Sequence, residues 1–221
     1  MTKHFHRELE KLKKLILSLG TMVEEEVRNA IQAIELKDAD IAKQIIRNDY
    51  EIDEMEVEIE EECLKVMALH QPVAVDLRFI IAVIKINNDL ERIGDEAVNI
   101  AERVETLAKH KNTALVYDYT MMAEKAEKML KMSLDALVNL DIDLAFKVIM
   151  KDDEVDDIQT DVYKLTKDYI RQYKDDVSFL LNQYLISRHL ERIADHATNI
   201  AEEVIYLIEG DIVRHGKYSL A

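Results

Sequence analysis

Two passages of the chain, LERIGDEAVNIAERV from Leu90 to Val104 and LERIADHATNIAEEV from Leu190 to Val204, align without a gap and agree at eleven of fifteen positions. Such agreement at a fixed offset is the mark of an internal repeat, so the chain is expected to fold as one unit used twice. Upstream, NDYEIDEME (Asn48 to Glu56) matches KDDEVDDIQ (Lys151 to Gln159) at an offset of 103 rather than 100. Three residues are therefore missing from the second copy, where the first has His70-Gln71-Pro72.

Each copy reads as helix. Only four glycines and one proline occur in 221 residues, too little punctuation for a β-rich fold. Leu9, Leu12, Ile16, Leu19, Val23, Val27, Ala30 and Ile34 step by three and four, the stripe of an amphipathic helix from about 3 to 36. Gly20 lies inside it and is expected at a close helix contact. The aspartates of Lys37-Asp38-Ala39-Asp40 offer caps to a second helix over roughly 40–69. Pro72 turns the chain, standing near the first position of a third helix that runs to about Lys109. Lys109, His110 and Lys111 complement the carboxyl end of its dipole. The second copy follows with helices near 114–139, 142–173 and 177–209. Helices of this length span about 45–50 Å, and short links force three of them to lie antiparallel. The expected fold is all-α, two tandem pseudo-symmetric three-helix bundles, one from residues 1–111 and one from 112–221.

A formal charge of −16 repels polyphosphate backbones and anionic lipid, which argues against nucleic-acid binding. The start lacks the apolar core of a secretory signal, and no apolar run approaches the ~18 residues of a membrane span. A cytoplasmic protein is expected. Cys63 has no second cysteine to pair with and reads as a structural thiol.

The charge is also patterned. Glu91, Asp95 and Asn99 recur every fourth residue beside the apolar stripe, as do Glu191, Asp195 and Asn199. Asp49 and Asp53, with Glu56 and Glu60, form a second row, answered in the repeat by Asp152 and Asp156. Carboxylates four apart repel by a few tenths of a kcal/mol on a helix, so stacked rows invite a compensating cation. Were the rows to converge, they would offer four oxygen ligands, suited to magnesium, manganese, calcium or iron rather than zinc. A solvated face, with Arg92 and Arg192 as counter-ions, is the competing reading. His189 and His196, which stand where the first copy has Asp89 and Glu96, are candidates for further ligands, although a lone helical histidine is more often structural.

The run DLRFIIAVIKINNDLERIGDEAVNIAERV, from Asp76 to Val104 and preceded by HQP, resembles the signature of the PhoU family of phosphate-uptake regulators, and the resemblance extends over nearly the whole chain. It implies two tandem three-helix bundles, metal-binding E(D)-x-x-x-D motifs on the bundle surface, and homodimers. Carried onto this sequence, the motifs are Asp49 with Asp53, Glu91 with Asp95, Asp152 with Asp156, and Glu191 with Asp195. It further implies a cytoplasmic, non-enzymatic negative regulator that links a phosphate ABC transporter to a sensor histidine kinase. The second copy departs from the pattern at Asp176-Val177-Ser178, where the first has Asp76-Leu77-Arg78. In the first copy Asp76 is expected to cap or begin the third helix and Arg78 to pair with a carboxylate. Two alternatives stay open: a ferritin-like di-metal enzyme, though no histidine here follows a glutamate by three positions, and a purely structural helical scaffold.

Overall fold

A computed structural model describes residues 3–110 and 117–213. Within them the chain is helical: α1 (Lys3–Leu36), α2 (Ala39–Asn48), α3 (Tyr50–His70), α4 (Val75–Ala108), α5 (Thr120–Asn139), α6 (Ile142–Ile149), α7 (Asp152–Gln172), a 3₁₀ turn (Lys174–Asp176) and α8 (Val177–Glu209). The unit boundary expected at 111/112, the start of a helix at 114 and Lys111 lie outside the described residues.

Each unit is three rods, and the middle rod is broken. The single helices expected over 40–69 and 142–173 are α2 with α3 and α6 with α7. No glycine or proline marks either break. Asp49 keeps right-handed backbone angles, but the ladder shifts there to a three-residue step, with the Ile52 amide donating to the Asp49 carbonyl at 2.9 Å. In the repeat the Lys151 amide donates to the Val148 carbonyl at 2.9 Å. Asn and Asp compete for backbone hydrogen bonds and weaken a helix interior. Asp38 caps α2 by accepting from the amides of Asp40 and Ile41, and Asp141 caps α6 by accepting from Leu144. The HQP turn ends α3 through Gln71 in the left-handed region (φ 46°, ψ 58°). Pro72 lies three residues ahead of α4 rather than at its first position, and Asp76 falls in the first turn without capping it.

The core is continuous through both units, with Leu12, Leu19, Ile59, Ile86, Leu90, Ile93, Ile100, Met129, Leu130 and Ile186 fully enclosed. Gly20 accounts for one inter-unit contact: a Cβ there would stand 2.8 Å from Leu134 Cδ2, the close approach that its small size permits. Arg78 lays its guanidinium against Gly210, at the left-handed end of α8; no carboxylate partner for it occurs among the ion pairs of the described residues.

The largest seam joins α4 to α8. Lys85 Nζ donates to Glu203 at 3.1 Å, Asp89 meets His196 at 2.8 Å, Glu96 meets His189 at 2.6 Å, and Arg103 donates to Asn182 at 3.2 Å. Numbers rise along α4 as they fall along α8, so the helices are antiparallel and equivalent positions cross-pair. This explains why the repeats differ where they do. With identical copies, Asp89 would face a glutamate and Glu96 an aspartate. Histidine at 189 and 196 turns both repulsions into pairs.

Candidate metal centre

The break in each middle rod sets its first acid, Asp49 or Asp152, beside the third rod. Asp53 and Asp156 follow one turn later, and Glu91 with Asp95, or Glu191 with Asp195, project from the facing helix. In the second unit one carboxylate oxygen from each of Asp156, Glu191 and Asp195 lies within 4.8 Å of the others. Asp152 stands at their edge and accepts from Thr198 Oγ1 at 3.2 Å. Burial, then Asp195 and Asp156, pushes the Glu191 carboxyl up to about 7. Burial, then Asp152 and Asp156, pushes Asp195 to about 6. Asp152 and Asp156 are raised chiefly by burial. Carboxyls raised in this way by burial and by one another would be stabilised in their charged form by a cation placed among them.

The first unit is looser: no three of Asp49, Asp53, Glu91 and Asp95 bring donor atoms equally close. They are nonetheless coupled. Asp49 is raised to about 6 by burial, then by Asp53 and Asp95; Glu91 and Asp95 are raised by burial first and by their acidic neighbours next. Glu56, expected to extend this row, accepts instead from Asn87 Nδ2 at 3.1 Å.

A residue that the spacing did not single out completes the first unit. Glu26 on α1 is 8% exposed, and its Oε2 is buried with no hydrogen-bond partner. Burial, then the charges of Asp49, Asp53 and Asp95, pushes its carboxyl up to about 8. Gly94 packs beside it; a Cβ there would stand 3.3 Å from Ile52 Cδ1 and 3.6 Å from Glu26 Oε2. A cleft of about 470 Å³ beside it, lined by Glu25, Glu26, Gln44, Asn48 and Glu51, leads outward. The offset of 103 carries the buried positions of α1 onto α5: Leu19 onto Met122, Val23 onto Ala126, Val27 onto Leu130, Ile34 onto Leu137, and Glu26 onto Met129. The two centres therefore differ, one having a buried carboxylate where the other has a thioether. The signal was present in the sequence, because Glu26 stands three residues after Val23, inside the apolar stripe.

The arginines do not neutralise these rows directly. Arg92 Nε donates to Asn88 at 3.2 Å, and Arg192 pairs with Glu96 in the seam at 3.0 Å. His189 and His196 each commit Nδ1 to the seam, with Glu96 and with Asp89. The donor set is all oxygen, half-buried at Asp49, Glu91, Asp152 and Glu191 and exposed at Asp53, Asp95, Asp156 and Asp195. Together with the unpartnered Glu26 oxygen, it fits hard multivalent cations such as magnesium, manganese or iron, at the flank of the bundle rather than in its core.

The PhoU domain family model matches the chain twice, over residues 16–104 and 120–204. The phosphate-specific transport system accessory protein PhoU homolog of Clostridium acetobutylicum is 37% identical over 209 residues, which cover 94% of this chain and 95% of that protein. The accessory protein PhoU of Escherichia coli K12 is 31% identical over 96% of this chain and 88% of its own length. In three dimensions the crystal structure of PhoU from Pseudomonas aeruginosa superposes with a TM-score of 0.89 at 38% identity, covering 94% of this chain and all of that one.

Proposed function

This chain belongs to the PhoU family, and we propose that it is a non-enzymatic accessory protein of phosphate transport, acting in the cytoplasm as a negative regulator of the phosphate-starvation response. The supporting observation is likeness over nearly the full length of both chains to proteins named as phosphate-transport accessory proteins. No helix among the described residues is long and apolar enough to cross a membrane, which accords with a protein that docks on membrane partners. In this reading it bridges a phosphate ABC transporter and a sensor histidine kinase, as a homodimer.

The two acidic centres serve as cation sites. Asp49, Asp53, Glu91 and Asp95 with Glu26 hold one, and Asp152, Asp156, Glu191 and Asp195 the other. A bound cation supplies positive charge at a surface that is otherwise densely negative, and so changes which partner surface that face complements. The protein's own contribution is position: facing helices bring the acids of each set together, and α1 adds the buried Glu26 to the first.

The test is partner binding under metal titration. The dissociation constant for the transporter in membrane vesicles is expected to change as manganese fills the sites; full occupancy with an unchanged constant rejects a metal-dependent switch. Deleting the gene is expected to derepress phosphate-starvation genes in phosphate-rich medium, and unaltered repression would reject the regulatory role itself.

A further inference from the structure

We infer that the first unit carries a second, chemically different cation site, made by His4, Glu8 and His70 and selective for zinc-like transition metals. The site lies near the start of α1, about 27 Å along that helix from Glu26 at 1.5 Å per residue, and does not depend on the carboxylate centres. His4 Nε2 stands 3.2 Å from Glu8 Oε1, and His70 Nε2 stands 2.8 Å from Glu8 Oε2. One donor atom from each of the three lies within 4.8 Å of the other two. Two imidazole nitrogens thus address one carboxylate from two helices. Around a tetrahedral ion with bonds near 2.0–2.1 Å, donors lie about 3.3 Å apart, so closing the site needs donor atoms to draw together by up to about 1.5 Å.

The chemistry of this set separates it from the acidic centres. Two imidazoles and one carboxylate suit zinc, cobalt or nickel, whereas magnesium and calcium demand oxygen. Three protein ligands leave one position for water. The surroundings hold the ligands in place. His70 is the last residue of α3, fixed by the left-handed turn at Gln71 that follows it, and its ring rests 5.1 Å from that of buried Phe5. The carboxyl end of a helix favours positive charge. Glu8 and His70 are largely enclosed, at 12% and 18% side-chain exposure, and His4 is 71% exposed, so an ion has a route in. Lys65 pairs with Glu62 at 3.0 Å and leaves Glu8 to the imidazoles. Among the described residues the corresponding end of the second unit has no such set; there Tyr117 packs on Tyr169, ring centres 6.5 Å apart. Occupancy would clip the start of α1 to the end of α3 beside the HQP turn.

The experiment uses the full chain, stripped with chelator and then held in excess magnesium to engage the carboxylate centres. Zinc is titrated calorimetrically and cobalt by its visible absorption. One zinc equivalent per chain is expected to survive in Asp95→Asn and Asp195→Asn, and to weaken at least about tenfold in both His4→Ala and His70→Gln. His4 is exposed, so its substitution leaves the fold intact. A wild-type chain that takes up no such equivalent, or either histidine variant binding zinc as the wild type does, overturns the proposal.

Discussion

Replacing Glu26 with methionine, the residue its own repeat uses at the matching position, should stabilise the metal-free protein at alkaline pH and do little at acid pH. The buried carboxyl is raised from an ordinary 4.5 to about 8. Below pH 4.5 it is protonated whether the chain is folded or not and contributes no pH dependence. Between pH 4.5 and 8 the unfolded chain releases the proton while the folded chain keeps it, so folding stability falls as pH rises. Each pH unit is worth about 1.4 kcal/mol, giving a loss on the order of 3 kcal/mol at pH 7 and 4–5 kcal/mol above pH 8. Urea unfolding of wild type, Glu26→Met and Glu26→Gln in chelator, at pH 5 and pH 8.5, measures the difference. Both variants should lose much less stability across that interval than wild type. Equal losses in all three would show that Glu26 ionises freely and would refute its burial beside Asp49, Asp53 and Asp95.

The seam between the units gives two further expectations. Burial pushes the Glu96 carboxyl up, but the hydrogen bond and charge of His189 and the charge of Arg192 outweigh it and hold the group below 4.5; its contribution is present above pH 4.5 and is lost as pH falls through the lowered value, so Glu96→Gln should flatten the acid limb of the stability profile, and an unchanged limb speaks against the pairing. His196→Asp sets a carboxylate against Asp89 and should cost on the order of 2 kcal/mol, recovered when combined with Asp89→His; additive losses in that double-mutant cycle contradict direct contact. Cys63 is fully enclosed, with burial pushing its thiol up to about 12, so iodoacetamide at pH 8 should label it only in denaturant, and rapid labelling of the native chain would contradict the packing.

The rods were legible because their apolar stripes keep helical spacing for about five to nine turns, and the duplication because its letters survive. The breaks at Asp49 and Lys151 were not, since both sit in right-handed backbone with no glycine or proline to announce them. The place of Pro72 was misjudged because left-handed turns at non-glycine residues such as Gln71 leave no compositional trace. Spacing found the acidic rows and the family resemblance singled out the eight acids in them, yet neither could say that Asp156, Glu191 and Asp195 draw together more tightly than their first-unit counterparts. Glu26 carries a weak signal, its place in the apolar stripe three residues after Val23, which glutamate's abundance on a charged helix masks until burial sets it apart from Glu24 and Glu25. For the histidines at 189 and 196 a linear comparison offers a ligand role beside the commoner structural one, and only the antiparallel seam shows them paired with Glu96 and Asp89.

Manganese content after equilibrium dialysis of the full-length chain is the measurement on which the reading of the acidic centres rests. Wild type should retain manganese above the buffer level, with Asp95→Asn losing the first unit's share, Asp195→Asn the second's, and the double variant both. A wild-type chain that equilibrates to buffer level, or a double variant that holds as much as wild type, would mean that these carboxylates are no more than a solvated face.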